Sequence, residues 1–149
     1  MKPNPRLQDP SIYRHSIEIT TRFSDLDLQR HLNNVRLLEF YQEARVSFYA
    51  RLEREHGFCR PQGSRAMVAH ISLDYLAEVS YPGPVELRVG VANIGRTSQT
   101  LAIALFSEAR CAGLASVVVV NNDAQGPAPL TDEWRKLLQM YMLPPDALG

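Results

Sequence analysis

The sequence has few of the features that define several large protein classes. Its two cysteines, Cys59 and Cys111, are far apart and fit no Cys-x-x-Cys or Cys/His ligand spacing, so neither a disulfide framework nor a zinc site is indicated. The 16 Lys and Arg residues balance the 16 Asp and Glu residues, and no global field therefore favours nucleic acid or an anionic membrane. We expect no metal and no nucleic-acid partner.

Long apolar runs are also missing. No stretch approaches the roughly 20 apolar residues that a transmembrane helix needs. The first ten residues, MKPNPRLQDP, are polar and contain proline, whereas a secretory signal has an apolar run behind a charged start. We therefore expect a cytoplasmic protein that does not associate with a membrane.

Several enzyme motifs are absent. The sequence contains no GxGxxG, no Walker loop, no HExxH and no serine in a GxSxG setting. These motifs are typical of dinucleotide-binding enzymes, P-loop NTPases, zinc proteases and α/β-hydrolases. None of these classes is indicated.

A polar segment directly before a helical pattern carries the residues best suited to chemistry. Residues 22–35 read RFSDLDLQRHLNNV and include Asp25, Asp27 and His31. A carboxylate just upstream of a helix can face backbone N–H groups that lack partners, and these groups favour a developing negative charge. Acyl hydrolysis requires such a base and anion site. The alternative is that both aspartates cap the turn before the helix.

The pattern of residues 34–55 predicts one long helix, because it contains no Pro or Gly and places apolar residues on one face. Asn33 is a suitable N-cap, and Gly57 suits the position after the last turn. The apolar residues assigned to the core are Leu38, Tyr41, Phe48 and Leu52.

Five segments show strand patterns, and a short helix is predicted from Asp132 to about Met140 with Thr131 as its N-cap. The predicted strands are residues 13–23, 67–75, 85–91, 100–107 and 111–121. Short connections imply antiparallel neighbours. Wrapping this sheet around the long helix would bury the apolar face of each. The sequence thus predicts an α+β fold, with a flexible lead-in at residues 1–11 and a single domain at residues 12–149.

Several motifs together resemble a known family. The segment matches the pattern R-x-x-D-x-D-x-x-G-H-V-N-N at Arg22, Asp25, Asp27, His31, Asn33 and Asn34, and Glu43, Ala44 and Arg45 supply a helix signature. The stretches ISLDYLAEVSYPG and NIGRTSQT fit as well. Over roughly residues 12–123 the chain resembles hotdog-fold acyl-CoA thioesterases of the 4-hydroxybenzoyl-CoA thioesterase type. The resemblance implies a hydrolase that acts as a homodimer or homotetramer, with coenzyme A as part of the substrate and no further cofactor.

The resemblance also implies roles for single residues. Asp27 corresponds to the family's catalytic carboxylate, as base or as nucleophile, and the backbone N–H of Asn34 to the donor that polarises the thioester carbonyl. His31 would orient Asp27 or the thioester, or would instead fix the loop through hydrogen bonds to backbone carbonyls. Asn33 is a substrate ligand or a helix cap.

Two further substrate contacts are implied. Gly95, Arg96, Thr97 and Ser98 form a tip that the family places beside the nucleotide and pantetheine of coenzyme A, and a glycine-permitted turn with a guanidinium suits phosphate. Arg30 stands where the family has glycine, and we expect it to lack the positive φ and the space that glycine provides. Its guanidinium would instead hold a phosphate or a carboxylate.

Other readings remain open. A glutamate on the long helix, Glu39 or Glu43, is an alternative catalytic carboxylate. Enoyl-CoA hydratases of the same fold place Asp and His five residues apart with Asn-Pro between them, whereas Asp27 and His31 are four apart without proline. Non-catalytic acyl-CoA binding is the third reading.

Overall fold

Antiparallel strands form the main body of the chain. The computed structural model describes residues 2–149. The strands are β1 (His15–Thr20), β2 (Arg65–Tyr75), β3 (Pro84–Ile94), β4 (Ser98–Ser107), β5 (Arg110–Asp123) and β6 (Gly126–Pro127). Their order across the sheet is β1, β3, β4, β5, β2, and the two-residue β6 pairs with β5. This sheet wraps a long helix, which is the predicted α+β hotdog arrangement.

The long helix, α1 (Asn34–His56), begins and ends where the sequence predicts. The side chain of Asn33 accepts a hydrogen bond from the Val35 amide at 2.8 Å, and Gly57 adopts the left-handed conformation with φ 63° that ends many helices. The buried face of α1 consists of Leu37, Phe40, Tyr41, Ala44, Phe48, Tyr49 and Leu52. The core assignment of Leu38 is wrong, because its side chain is 42% exposed.

Alternation along β3 fixes which face of the sheet packs on α1. Val85, Leu87, Val89 and Val91 are fully buried and belong to the same apolar cluster as the buried face of α1. The next helix, α2 (Asp132–Gln139), adds Trp134 to this cluster. Thr131 caps α2 as predicted, since its hydroxyl accepts a hydrogen bond from the Trp134 amide at 3.1 Å.

The opposite face of the sheet is covered by both ends of the chain. Two turns of 3-10 helix (Pro5–Gln8 and Pro10–Ile12) and a last short helix, α3 (Pro145–Leu148), lie there. A second apolar cluster joins Tyr13, Phe106, Cys111, Leu143 and Ala147. Residues 5–11 of the predicted lead-in therefore have local structure, whereas Met1 lies outside the described residues. The flexibility of this segment stays a prediction.

One edge of the sheet is open. Strand β2 lies at this edge, where it pairs only with β5, and most of its residues are exposed.

Two further properties concern the predicted protein class. No helix within residues 2–149 is both long enough and apolar enough to cross a membrane. Cys59 is exposed and Cys111 buried, and both are free thiols.

Candidate active site

The polar segment before α1 folds into a loop held by its own side chains. Asp25 is buried, and its carboxylate accepts a hydrogen bond from the Arg22 amide at 2.8 Å. The guanidinium of Arg36 lies 3.7 Å from the same carboxylate. The Asn33 amide donates to the Asp25 carbonyl at 2.8 Å. Asp25 therefore caps the turn, and it does so from a position that substrate could not reach.

Asp27 lies on the surface and closes a tighter turn. Its Oδ1 atom accepts hydrogen bonds from the Gln29 amide at 2.9 Å and the His31 amide at 3.2 Å. The Asp27 amide donates to the His31 carbonyl at 2.9 Å. Among the described residues, no group donates to the second oxygen, Oδ2. One oxygen of Asp27 thus has the capping role of the alternative reading, while the other remains available for chemistry.

Asp27 lines an open cleft of about 680 Å³. The cleft contains two other residues predicted for the site, Arg30 and Asn33. Its walls also include Phe23, Leu26, Leu28 and Tyr81. The aromatic and aliphatic walls are features that the sequence reasoning missed, since Phe23 reads as the last residue of a strand rather than as part of a loop.

The backbone conformation of Arg30 differs from the one expected. The prediction that arginine cannot supply a positive φ at the family's glycine position is wrong, because Arg30 adopts φ 63°. A β-carbon in this conformation costs about 1 kcal/mol relative to glycine. The loop therefore keeps the backbone shape that glycine would favour, and adds a charged side chain to the cleft.

His31 and Asn34 line a neighbouring depression of about 420 Å³. The Asn34 amide is the first N–H of α1, and no acceptor for it occurs between residues 2 and 149. The His31 Nε2 atom lies 3.4 Å from a carboxylate oxygen of Glu78, a residue that sequence reasoning did not single out. Since Asn33 and Asn34 are consecutive, the two depressions border the same loop.

The predicted tip at residues 95–98 is remote from Asp27 within one chain. It follows the C-terminal end of β3, whereas Tyr81 of the cleft precedes the N-terminal end of that strand. The 11 residues of β3 span about 35 Å at 3.2 to 3.4 Å per residue. The Arg135 guanidinium and the Leu130 and Asn121 amides bind carbonyls of the tip. The structure therefore does not bring Gly95, Arg96, Thr97 or Ser98 to the cleft of their own chain.

The alternative carboxylates on α1 differ in their partners. Glu39 accepts a hydrogen bond from the Arg36 side chain at 2.8 Å. Glu43 makes no ion pair within residues 2–149. Neither glutamate lines the cleft of Asp27. Within the part of the chain that is described, no three His, Cys, Asp or Glu side chains are grouped so that they could hold a metal ion.

Comparison with known proteins decides the family. The model of the thioesterase-like superfamily matches residues 21–138. The chain belongs to this superfamily. The match begins at the residue before Arg22 and ends in α2, so it contains the loop, the cleft and every strand from β2 to β6, whereas β1 lies just before it.

Similar proteins come from several bacteria. The chain is 26% identical over 124 residues to the uncharacterized protein YsmA of Bacillus subtilis (strain 168), covering 81% of this chain and 82% of that protein. It is 27% identical to the PA5185 protein of Pseudomonas aeruginosa strain PAO1, with a TM-score of 0.75, covering 90% of this chain and 95% of the other. These likenesses cover most of the length of both relatives.

A third similar protein has a stated ligand. A thioesterase from Thermus thermophilus, solved in complex with coenzyme A and zinc, is 25% identical with a TM-score of 0.74, covering 87% of this chain and 95% of that protein. The shared superfamily and such neighbours support thioester hydrolysis in general as the reaction of this chain. The absence of a cofactor or metal stays a prediction.

Proposed function

We propose that this protein hydrolyses an acyl-CoA thioester to the free acid and coenzyme A, with Asp27 as the catalytic carboxylate. The observation that carries the proposal is the state of Asp27: two backbone amides fix one oxygen, the other is unpartnered among the described residues, and the side chain lines an open cleft before α1. A carboxylate held in this way keeps its orientation without losing the oxygen that would react.

The chemistry needs only groups that are present and a water molecule. In the base route, Oδ2 of Asp27 takes a proton from water, the water oxygen bonds to the thioester carbon, and the carbon–sulfur bond breaks to release the thiol. In the nucleophile route, Oδ2 bonds to the thioester carbon, the carbon–sulfur bond breaks, and coenzyme A leaves as a thiolate that takes a proton from water. A water molecule then cleaves the resulting anhydride and regenerates the Asp27 carboxylate. Both routes place negative charge on the carbonyl oxygen.

We assign the stabilisation of that charge to the Asn34 amide. It is the first N–H of α1 and has no acceptor among the described residues. The positive end of the helix dipole adds to its effect. Removing a donor of this kind typically raises the barrier of a hydrolase by about 2.7 to 4 kcal/mol. Asn34 lines the depression next to the cleft of Asp27, so the proposal requires the thioester group to lie where these two depressions meet.

His31 and Asn33 have supporting roles in this proposal. The Asn33 side chain caps α1 through Val35, and so fixes the helix end on which the donor lies. The His31 Nε2 atom lies 3.4 Å from a Glu78 carboxylate oxygen, and His31 borders the same depression as Asn34. The tip at residues 95–98 would contact coenzyme A only if it came from a second subunit, since it is remote in its own chain.

Thiol release tests the proposal. We expect Asp27→Asn to lower kcat on an acyl-CoA by roughly 100-fold or more, because general-base catalysis typically contributes 10² to 10⁴. The asparagine oxygen can still accept both backbone hydrogen bonds, so the melting temperature should change little. Release of coenzyme A would be followed with a chromogenic thiol reagent over a panel of acyl-CoAs.

Asp123 offers a matched control. It is exposed and accepts a hydrogen bond from the Gln125 amide at 2.7 Å, so it caps a turn as Asp27 does but lies outside the cleft. Asp123→Asn should keep the wild-type rate. A folded Asp27→Asn protein with wild-type turnover would reject Asp27. Loss of an enoyl absorbance without thiol release would indicate hydration, and tight binding with neither change would indicate a binding protein.

A further inference from the structure

The cleft that contains Asp27 has an apolar wall with unusual exposure. Phe23 is 77% exposed and Leu28 is fully exposed at 104%. The Phe23 ring meets the ring of Tyr81 edge-on, with the centroids 6.3 Å apart. Scattered apolar residues are common on protein surfaces, but three that line one cleft beside a candidate catalytic group mark a binding surface. The body of a ligand in this cleft is therefore apolar.

Arg30 adds an uncompensated positive charge to the same cleft. Within the described part of the chain, its guanidinium makes no ion pair and no hydrogen bond. Its backbone has φ 63°, a conformation that glycine would adopt at lower cost. Arg30 thus stabilises neither the fold nor a neighbouring side chain. The turn from Asp27 to His31 fixes this backbone shape, but it does not account for an arginine in place of the less costly glycine, so the charged side chain in the cleft needs another explanation.

The position of Arg30 limits which anion it can bind. The Arg30 amide donates to the Asp27 carbonyl at 3.0 Å, and both side chains line the same cleft, so an anion held by Arg30 would lie in the cleft that also contains the group that would react with the thioester. The phosphates of coenzyme A lie at the far end of the pantetheine arm from the sulfur. An anion beside the thioester carbon is therefore more naturally part of the acyl group.

We propose that the acyl group of the substrate has an apolar body and a terminal carboxylate, and that Arg30 binds this carboxylate while Phe23, Leu28 and Tyr81 contact the body. This inference rests on the proposed thioesterase function. Asp27 is the other charged residue that lines the cleft, and it would repel an anionic substrate. Arg30 offsets this repulsion, and its planar donors match a carboxylate bidentately.

Matched thioesters test the assignment. 4-Carboxybenzoyl-CoA is compared with benzoyl-CoA, and glutaryl-CoA with pentanoyl-CoA, so that each pair differs mainly in the terminal carboxylate. We expect wild-type kcat/KM to favour the carboxylated member of at least one pair. Arg30→Gln should lower kcat/KM for the carboxylated thioester by about 10- to 100-fold, as expected for a lost charge-assisted hydrogen bond. The same substitution should change kcat/KM for the thioester without the terminal carboxylate by less than about threefold. Arg30→Lys should restore part of the loss.

Two controls separate this result from other effects. Arg110 is exposed and lies outside the cleft, so Arg110→Gln should change no ratio between the paired thioesters. The same acyl groups on pantetheine lack the nucleotide phosphates. If Arg30 binds a phosphate of coenzyme A, Arg30→Gln will weaken both members of each pair equally on coenzyme A and neither on pantetheine, and the proposal is overturned.

Binding of non-hydrolysable amide analogues distinguishes this proposal from the proposed function. 4-Carbamoylbenzoate and benzamide, which differ only in the terminal carboxylate, would be titrated into the protein by calorimetry, which requires no turnover. Arg30-dependent preference for 4-carbamoylbenzoate supports the anionic ligand even if no thioester is hydrolysed. Equal or absent binding of the two amides, together with no preference for the carboxylated thioesters, overturns the inference whether or not the protein is a thioesterase.

Discussion

His15 is buried between β1 and α1 as a neutral side chain. Its Nε2 atom lies 3.2 Å from the Ser47 hydroxyl, and its Nδ1 atom 3.4 Å from a guanidinium nitrogen of Arg51. Burial lowers the pKa of His15 to about 4, with the positive charges of Arg51 and Arg54 acting in the same direction and Glu55 opposing them. A proton on this ring would therefore destabilise the contact between β1 and α1.

At the residue scale, His15 predicts an acid-sensitive stability. The unfolded histidine binds a proton below its ordinary pKa of about 6.5, whereas the folded one does so only near pH 4. Between these values the unfolded state holds more protons, so the free energy of unfolding falls as the pH falls from about 6.5 to 4. The loss is at most about 3 kcal/mol. Urea unfolding of wild type and His15→Gln at pH 7.5 and 4.5 measures it.

The variant provides the comparison, because carboxylates also titrate in this range. His15→Gln keeps a polar atom near Ser47 but cannot ionise, so its free energy of unfolding should fall less between the two pH values. If the free energy of unfolding falls equally in both proteins between pH 7.5 and 4.5, His15 does not cause the loss of stability in acid.

Arg30 and Asp27 show how far single residues can be read from the sequence. The motif located both in one loop, and the turn-capping role of Asp27 is confirmed by its hydrogen bonds, whereas its role as reactive carboxylate stays a proposal. The positive φ of Arg30 was not, because an arginine has no intrinsic preference for that region. The hydrogen bonds that close the turn from Asp27 to His31 impose the conformation.

At the element scale, the turn between β4 and β5 contains avoidable strain. Glu108 and Ala109 have φ values of 51° and 62°, and Ser107 pairs with Arg110 across them. A two-residue hairpin with positive φ at both positions is a type I′ turn, in which Asn and Gly are preferred. The sequence at this turn therefore gives no signal for the hairpin, although the flanking strand patterns do.

Ala109→Gly should stabilise the protein by about 1 kcal/mol, because glycine adopts positive φ without the clash of a β-carbon. Thermal unfolding followed by circular dichroism measures the change. Ala124 is a matched control, since it is an exposed turn residue whose φ is not positive. Ala124→Gly should lower the melting temperature. A melting temperature that also falls in Ala109→Gly would contradict the strain argument.

Helix α1 was the most predictable element. Its cap, its length and the αL residue after it all follow from local chemistry. The prediction of which of its apolar residues are buried was only partly correct. Leu38 is exposed and lines a groove of about 300 Å³ with Val68 and Ile71 of β2. An isolated pattern cannot tell a core contact from a contact with another chain, since both require apolar side chains.

At the scale of the whole molecule, the edge strand β2 predicts self-association. It has 11 residues, and its exposed side chains Val68 and Ile71 line the same groove as Leu38. Met67 and Tyr75 add further exposed apolar surface to the strand. An unpaired, apolar edge of this length would promote aggregation unless another chain covers it. We therefore expect at least a homodimer, formed through β2, with a homotetramer as a further assembly.

Light scattering coupled to size-exclusion chromatography tests this expectation. Wild type should elute as a dimer or larger, and Ile71→Lys should shift the equilibrium toward monomer and lower the thiol-release rate. Leu148 is a control, because it is 40% exposed on α3, away from β2, and Leu148→Lys should keep the wild-type mass. A monomeric wild-type protein with full activity would refute the prediction.

The sequence by itself determined the elements, the caps of α1 and α2, the α+β class and the loop that carries the candidate chemistry. These properties depend on side-chain periodicity and on hydrogen bonds between near neighbours, which are local. Tertiary structure alone decided that Asp27 and Asn34 border different depressions, that Phe23 and Tyr81 form a wall of the cleft, and that the tip at residues 95–98 is distant. Such groupings depend on the path of the whole backbone, because strand length and pairing set the separation of residues that no local pattern relates.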